Sequence, residues 1–353
     1  MERQLVIHTG PHKTATTYIQ DALRDNTAVL ENNQIGMGMK PVSHSQHRIF
    51  SKKMNDKRDK YWLKKLKRLS NFQQIILSSE SFSNNILGPG NIDFLQKIAL
   101  KLGRELNLIY FVRDQADLIN SQYCHGIRRF YRSNDFNDFL QEIFKRDSNY
   151  IERGYNLDAK FSALFQRSDL ALTFIPLVRS HDPFLSMAKH LKWPNNLALN
   201  LDSSALTNSQ PGSKGIWLSR VAYDVCQELE RPVETLNNRG NVIRKIALSN
   251  QWTKKRFYGF NDSSYNQVRE FYSESNNNFS QAIWGQNWED MVSCKQKQQE
   301  IYQGPSTDIE HKTMLKHLLK AFKKMGWKHT SEQRNDIKKA FDMRVSALRE
   351  DSI

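Results

Sequence analysis

The spacing of apolar residues changes along the chain between a pattern typical of strands and one typical of helices. Short runs rich in β-branched and aromatic residues predict strands at 5–8, 35–39, 74–77, 106–112 and 170–176. Apolar positions spaced three and four apart predict helices at 16–32, 61–69, 92–102, 116–131, 136–144 and 184–191. Strands that alternate with helices are typical of a parallel sheet with crossover helices. Beyond residue 208 the pattern is almost wholly helical, so we expect an α/β fold with a helix-rich C-terminal part.

The length of the chain suits one large α/β domain with an appendage, because 353 residues can bury a sizeable core. We place these parts at residues 1–289 and 290–353. The longest apolar runs are far shorter than the roughly 20 residues of a transmembrane helix, and the N-terminus lacks the pattern of a signal peptide. Three widely spaced cysteines give neither a disulfide framework nor a zinc pattern. We therefore expect a cytoplasmic protein.

The charge of the chain predicts anionic partners. Lysine and arginine number 52 against 37 acidic residues, which gives a formal net charge of +15. No zinc finger, RNA-recognition signature or basic zipper is found, so we expect no nucleic-acid partner. Acidic glycans, lipid headgroups and a phosphate-rich cofactor all stay open, as does a basic surface that only aids solubility.

The loop after the first predicted strand carries the most informative motif. It reads His8-Thr9-Gly10-Pro11-His12-Lys13-Thr14-Ala15-Thr16-Thr17. A loop that enters a helix presents unpaired N–H groups and the positive end of the helix dipole, which bind phosphate. Lys13 adds a full charge, and Thr14, Thr16 and Thr17 add hydroxyl groups, one of which can also cap the helix. The Walker A spacing is absent, which argues against an ordinary ATPase. The alternative is a capped turn with a surface lysine.

A second strand-to-helix junction follows the predicted strand 106–112. Arg113 stands where that strand ends, at the edge where α/β sheets place ligands, and Ser121 lies early in the next helix. The planar fork of an arginine and the hydroxyl of a serine both suit a phosphate group. In the alternative interpretation Arg113 bridges to Asp117 and Ser121 is solvated.

Both junctions resemble motifs of the sulfotransferases that use 3′-phosphoadenosine 5′-phosphosulfate (PAPS), in particular bacterial and carbohydrate sulfotransferases. The first is similar to their 5′-phosphosulfate loop, although Ala15 stands where glycine is common. If residue 15 had a positive φ, alanine would cost on the order of 1–2 kcal/mol, whereas an alanine in the helical region would cost little. The second resembles their 3′-phosphate motif, and the segments 206–209 and 271–285 are more weakly similar to the family. The resemblance implies a P-loop-kinase-like parallel sheet, PAPS as sulfate donor, no metal, and a hydroxyl-bearing acceptor, with a glycan favoured.

The resemblance also assigns the site residues. The donor would be bound by Gly10, Pro11, His12, Lys13, Thr14, Ala15, Thr16, Thr17, Arg113 and Ser121. Lys13 would also be catalytic, because it would stabilise the departing phosphate. Glu80 is the first candidate base, since carbohydrate sulfotransferases often use a glutamate at a similar place, and its alternative is a carboxylate at a helix N-terminus. His44 and His47 are rival bases in a predicted loop, because histidine titrates near neutrality.

Other interpretations remain open at this point. The acceptor could be a lipid, a tyrosine or a small metabolite, and the chain could be a non-catalytic nucleotide- or polyanion-binding protein of the same fold. A nucleoside kinase would require ATP and magnesium. The tail carries an amphipathic pattern at 314–327 with lysines opposite the apolar face, which predicts packing on the main domain. The same helix could instead make peripheral contact with an anionic membrane.

Overall fold

The apolar runs of the sequence form the strands of one sheet. The computed structural model describes residues 3–11, 13–37, 45–145, 155–178, 180–201, 210–292 and 296–350. Its strands are β1 (Gln4–Thr9), β2 (Ile35–Met37), β3 (Gln74–Ser78), β4 (Glu105–Val112) and β5 (Ala171–Pro176). They pair in the order β2-β3-β1-β4-β5, and every pair is parallel. The predicted parallel sheet is confirmed.

Helices connect these strands along the chain, and one more follows β5. They are α1 (Thr16–Asp25), α2 (Thr27–Asn32), α3 (Ser45–Asn55), α4 (Asp59–Leu66), α5 (Ser81–Asn85), α6 (Asn91–Lys101), α7 (Gln115–Arg128), α8 (Phe136–Lys145), α9 (Leu157–Phe165) and α10 (Pro183–His190). The later helices are α11 (Gly212–Glu228), α12 (Arg239–Ser249), α13 (Asp262–Phe271), α14 (Ser273–Trp284), α15 (Trp288–Met291), α16 (Asp308–Lys324) and α17 (Ser331–Glu350). The predicted helix-rich C-terminal part is therefore confirmed.

The residues divide into two compact units. Unit 1 consists of Met1–Leu118, Arg146–Ala205 and Val268–Lys295 and contains the sheet. Unit 2 consists of Ile119–Lys145, Leu206–Gln267 and Gln296–Ile353 and, where described, is mainly helical. Unit 2 thus includes the predicted appendage 290–353, apart from its first residues, together with two earlier segments.

The sheet of unit 1 is covered by helices on both faces. Alternate residues of each strand point to opposite faces, so each face has its own set of apolar contacts. On one face Leu5 and Ile7 of β1 pack with Phe82 of α5 and Leu95 of α6. On the other face Val6 of β1 packs with residues of α1, α2 and α10. A strand buried on both faces reads as a continuous apolar run, which explains why β4 was visible in the sequence.

Two sequence-based expectations are wrong in detail. The helix predicted at 16–32 is broken at Asn26, whose side-chain amide donates to Ala22 O at 2.8 Å and to Asn200 O at 2.7 Å. The loop predicted at His47 is also wrong, because α3 already begins at Ser45, whereas His44 lies outside the described residues. Phe50 and Met54 of α3 are buried one turn apart and hold this helix on the core.

A buried arginine lies at the amino edge of the sheet and binds backbone carbonyl groups there. Arg104, just before β4, donates to the carbonyl oxygens of Gln73 at 2.7 Å, Phe72 at 2.5 Å and Ser70 at 3.2 Å. Burial, and then the charge of Arg3, lower the pKa of Arg104 to about 10. The carbonyl groups of the turn that precedes β3 therefore converge on one cation.

Unit 2 has its own apolar core. Residues of α11 and α12 pack there with the tail helices α16 and α17. Met314, Leu318 and Phe322, on the apolar face predicted for the tail, are buried in this core. That face is covered by protein within the unit, as the packing interpretation of the pattern predicts.

Candidate functional site

Three turns of unit 1 meet at the carboxyl edge of its sheet. β1 lies between β3 and β4, with His8 beside Ser78 and Thr9 beside Tyr110. The turns that follow these three strands contain Lys13, Glu80 and Arg113, respectively. The connection after β1 leads to α1 on one face of the sheet, and the connection after β3 leads to α5 on the other. Ligands of open α/β sheets bind where neighbouring connections diverge in this way.

The Lys13 loop has an unusual backbone. Lys13 has a φ of 78° and Ala15 a φ of 61°, so two residues with side chains occupy the left-handed region within three positions. Such a conformation costs an alanine about 1–2 kcal/mol, which is why glycine is favoured there. Alternation of left-handed and other conformations turns successive N–H groups toward a common point, where they bind anions. The position at which alanine replaces the expected glycine is therefore a position that favours glycine.

Contacts within the loop fix this shape. The Thr14 hydroxyl donates to Pro11 O at 2.7 Å, and both residues are buried. A Cβ atom at Gly10 would overlap the Thr14 hydroxyl and come within 3.4 Å of Phe111 O, so a side chain at position 10 is excluded. His12 lies outside the described residues.

The N-terminus of α1 lacks the capping that the sequence suggested. Its N-cap residue is Ala15, no described side chain caps it, and its first turn has no acidic residue. The expectation that a threonine caps this helix is wrong. Thr9 and Thr16 are each 1% exposed, and within the described part of the chain their hydroxyl groups make no hydrogen bond. Thr17 is half-buried in the first turn. Buried polar groups usually have a partner, and these two hydroxyls have none among the described residues.

Arg113 reaches the Lys13 loop directly. Its Nη1 donates to Lys13 O at 2.7 Å, and its Nη2 lies 3.8 Å from a carboxylate oxygen of Asp117. The turns after β1 and β4 are therefore in contact. The ion pair with Asp117 matches the alternative interpretation of Arg113, so the guanidinium group has two roles within the protein itself.

The turn that carries Arg113 is anchored by its next two residues. Asp114 is 4% exposed, accepts the Asp117 N–H at 3.1 Å and accepts a hydrogen bond from Arg269 at 2.9 Å. The buried amide of Gln115 pairs reciprocally with that of Asn276, at 2.5 and 3.2 Å. Arg269 and Asn276 belong to α13 and α14. The segment 271–285, which is weakly similar to the sulfotransferase family, contains Asn276, and its pairing with Gln115 spans 161 residues of the chain.

Glu80 stands at the start of α5, half-buried and directly after β3. A buried ammonium group supports this helix, because Lys160 donates to Tyr110 Oη at 3.1 Å and to Ser83 Oγ at 3.4 Å. The Ser83 N–H in turn donates to Glu80 O at 3.0 Å. The position fits both the candidate base and a carboxylate at a helix N-terminus.

The remaining predicted residues are Ser121, His44 and His47. Ser121 is half-buried in the second turn of α7, in the part of that helix that belongs to unit 2. His44 and the side chain of His47 lie outside the described residues. Among the residues that are described, no three His, Cys, Asp or Glu side chains cluster as a metal site.

Comparison with known proteins adds no relative. No family model matches the chain, and neither a curated protein nor a solved structure matches it. Within the ranges that the structure describes, no helix has the length and apolarity to cross a bilayer. The case for a function therefore depends on the geometry and on the resemblance of the two motifs.

Proposed function

We propose that the protein is a sulfotransferase that moves the sulfuryl group of PAPS to an acceptor hydroxyl, with a glycan as the favoured acceptor. The observation that carries the proposal is the hydrogen bond from Arg113 to Lys13 O. It joins the turn that resembles a 3′-phosphate motif to the loop that resembles a 5′-phosphosulfate loop. PAPS carries these groups on one ribose, so its binding requires the two turns at the same edge of the sheet.

The chemistry of the loop supports an anionic donor. The uncapped N-terminus of α1 offers N–H groups and a positive dipole end, and Lys13 adds a charge. The buried hydroxyl groups of Thr9 and Thr16, within four residues of Lys13 in the sequence, have no partner among the described residues. The all-parallel order of the strands, with this loop after the central strand, supports a P-loop-kinase-like arrangement as the finer fold class.

The proposed reaction is an in-line displacement at sulfur. Glu80 takes the proton of the acceptor hydroxyl while the acceptor oxygen forms a bond to sulfur. The bond between sulfur and the 5′-phosphate oxygen breaks, and adenosine 3′,5′-bisphosphate leaves with the electron pair. Lys13 and the N–H groups of the loop stabilise the negative charge that develops on the leaving phosphate. Arg113 holds the 3′-phosphate and so orients the donor.

A non-catalytic nucleotide-binding protein of the same fold is the second candidate. The contacts of Arg113 with Lys13 O and Asp117 favour it, because they occupy the guanidinium group without any ligand. In this candidate the loop still binds a phosphate, but no sulfuryl transfer follows.

Thermal unfolding with adenosine 3′,5′-bisphosphate, combined with transfer from labelled PAPS to pools of glycans, lipids and phenols, tests both candidates. At 100 times Kd the ligand should stabilise the fold by ~2.7 kcal/mol. Lys13→Ala should remove most of this stabilisation and lower transfer by about a hundredfold or more. Lys192→Ala is the matched control, because Lys192 is an exposed lysine that also has a positive φ, of 55°. Protection without transfer to any pool supports the second candidate, and no protection at all refutes both.

A further inference from the structure

Three arginines of unit 2 gather without a counter-charge. Arg128 is the last residue of α7, Arg129 follows it, and Arg244 lies in the second turn of α12. Within the described residues, none of the three side chains makes a hydrogen bond or an ion pair. Arg104 and Arg269, in contrast, donate to several oxygen atoms each.

Arg128 is the most buried of the three, at 7% exposure, and Nε of Arg244 is also buried. Burial is the largest influence that lowers the pKa of Arg128, and the charges of Arg129 and Arg244 lower it further. The thiol of Cys124 acts in the opposite direction, and no carboxylate contributes. A buried charge without a partner is costly, and two like charges beside it increase that cost.

The N-terminus of α12 adds positive charge at the same place. A Cβ atom at Gly240, the second residue of α12, would lie 3.3 Å from Arg128 O and 3.3 Å from Arg129 Cδ, so the first turn packs on both arginines. Asn238 provides no side-chain cap, and the first turn has no acidic residue. The N–H groups of Arg239 and Gly240 make no hydrogen bond within the described structure.

We propose that this arginine cluster, together with the first turn of α12, binds a small tetrahedral oxyanion, either a phosphate or a sulfate group. The guanidinium groups of Arg128 and Arg244 supply paired N–H donors, and the helix amides supply more. A single compact group fits better than a polymer, because the two cations are largely buried and not arranged in an exposed row. The proposal does not depend on the sulfotransferase assignment.

Binding of inorganic sulfate and phosphate tests the site, measured by calorimetry and by thermal unfolding against chloride at equal ionic strength. The Lys13→Ala protein is used throughout, so that binding at the Lys13 loop is weakened. Sulfate or phosphate should bind and raise Tm. Adding Arg244→Gln should raise Tm in the absence of these anions, because it removes a like charge, and should weaken their binding roughly tenfold or more.

Two further variants keep the test decisive. Arg128→Met keeps an unbranched apolar stem in the buried position but removes the guanidinium group, and should also weaken anion binding roughly tenfold or more. Arg334→Gln, an exposed arginine of α17, controls for the loss of one positive charge and should leave binding unchanged. If the Lys13→Ala protein binds neither anion, or if Arg244→Gln lowers Tm and leaves anion affinity intact, the site does not exist. A sugar phosphate and a sugar sulfate, titrated in parallel, identify which ester is bound.

Discussion

Replacement of Ala15 by glycine should stabilise the protein, although glycine usually weakens a helix. Ala15 has φ 61° and ψ 11°, the left-handed conformation, at the N-cap of α1. An L-residue pays about 1–2 kcal/mol for this conformation, and glycine pays almost none. Glycine loses more freedom on folding, which costs about 0.5–1 kcal/mol relative to alanine. Near the middle of these ranges the difference is a net gain of ~0.5–1 kcal/mol for Ala15→Gly.

Chemical and thermal unfolding measure this gain. For the roughly two hundred residues of unit 1, 1 kcal/mol corresponds to about 2–4 °C in Tm, so we expect a rise of ~1–4 °C. Ala28→Gly is the matched control, because Ala28 is an exposed alanine inside α2. It should lose about 0.5–1 kcal/mol, since the right-handed conformation does not favour glycine.

The expected changes in stability have opposite signs for the two variants, so one measurement distinguishes them. If Ala15→Gly lowers stability as much as Ala28→Gly does, the left-handed conformation at position 15 is wrong, and the argument for a strained anion loop fails with it. A gain in stability together with unchanged or tighter binding of adenosine 3′,5′-bisphosphate supports the loop geometry described above.

Three other outcomes are expected. Arg269→Gln should weaken binding of adenosine 3′,5′-bisphosphate by about tenfold but leave adenosine 5′-monophosphate unaffected, because it acts on the Arg113 turn; equal losses for both nucleotides would indicate a general structural effect. Glu80→Gln should lower kcat by about a hundredfold or more with little change in donor affinity, and an unchanged kcat would exclude Glu80 as the base. Burial opposes the charge of Glu310, but hydrogen bonds, above all from Lys214, outweigh it and lower its pKa to about 2. That carboxylate therefore stabilises unit 2 above its unfolded pKa near 4.5, and the stabilisation is lost as pH falls toward 2, so Glu310→Gln should flatten acid unfolding between these values, as followed by circular dichroism.

Elements could be predicted from the sequence where their own run of residues shows which side chains are buried. β4 was predicted because both of its faces are covered, so its residues from 106 to 112 are apolar except for Asn107. The sequence pointed to position 15 as a place where glycine is common but left its conformation open, and the structure shows the left-handed one. α3 was missed, although Phe50 and Met54 stand four residues apart, because its N-terminal part is polar.

Features that depend on distant partners could not be predicted. The break at Asn26 requires Asn200, which is 174 residues away in the sequence. The ion pair of Arg269 with Asp114 spans 155 residues, and neither residue has a local pattern that identifies the other. The two interpretations of Arg113 also could not be separated from the sequence, because the same arginine contacts both the Lys13 loop and Asp117.

The two edges of the sheet differ in how firmly they are held. At one edge Arg104 gathers the carbonyl groups of the turn before β3, and its lowered pKa reflects how little water reaches it. A strained backbone conformation persists only where the surrounding structure holds it in place. We infer that the contacts of Arg104 at the amino edge hold β1 in register and so support the strained Lys13 loop at the carboxyl edge. Mutations that loosen Arg104 should therefore disturb the Lys13 loop from the far end of β1, over the whole length of the strand, with no contact between the two.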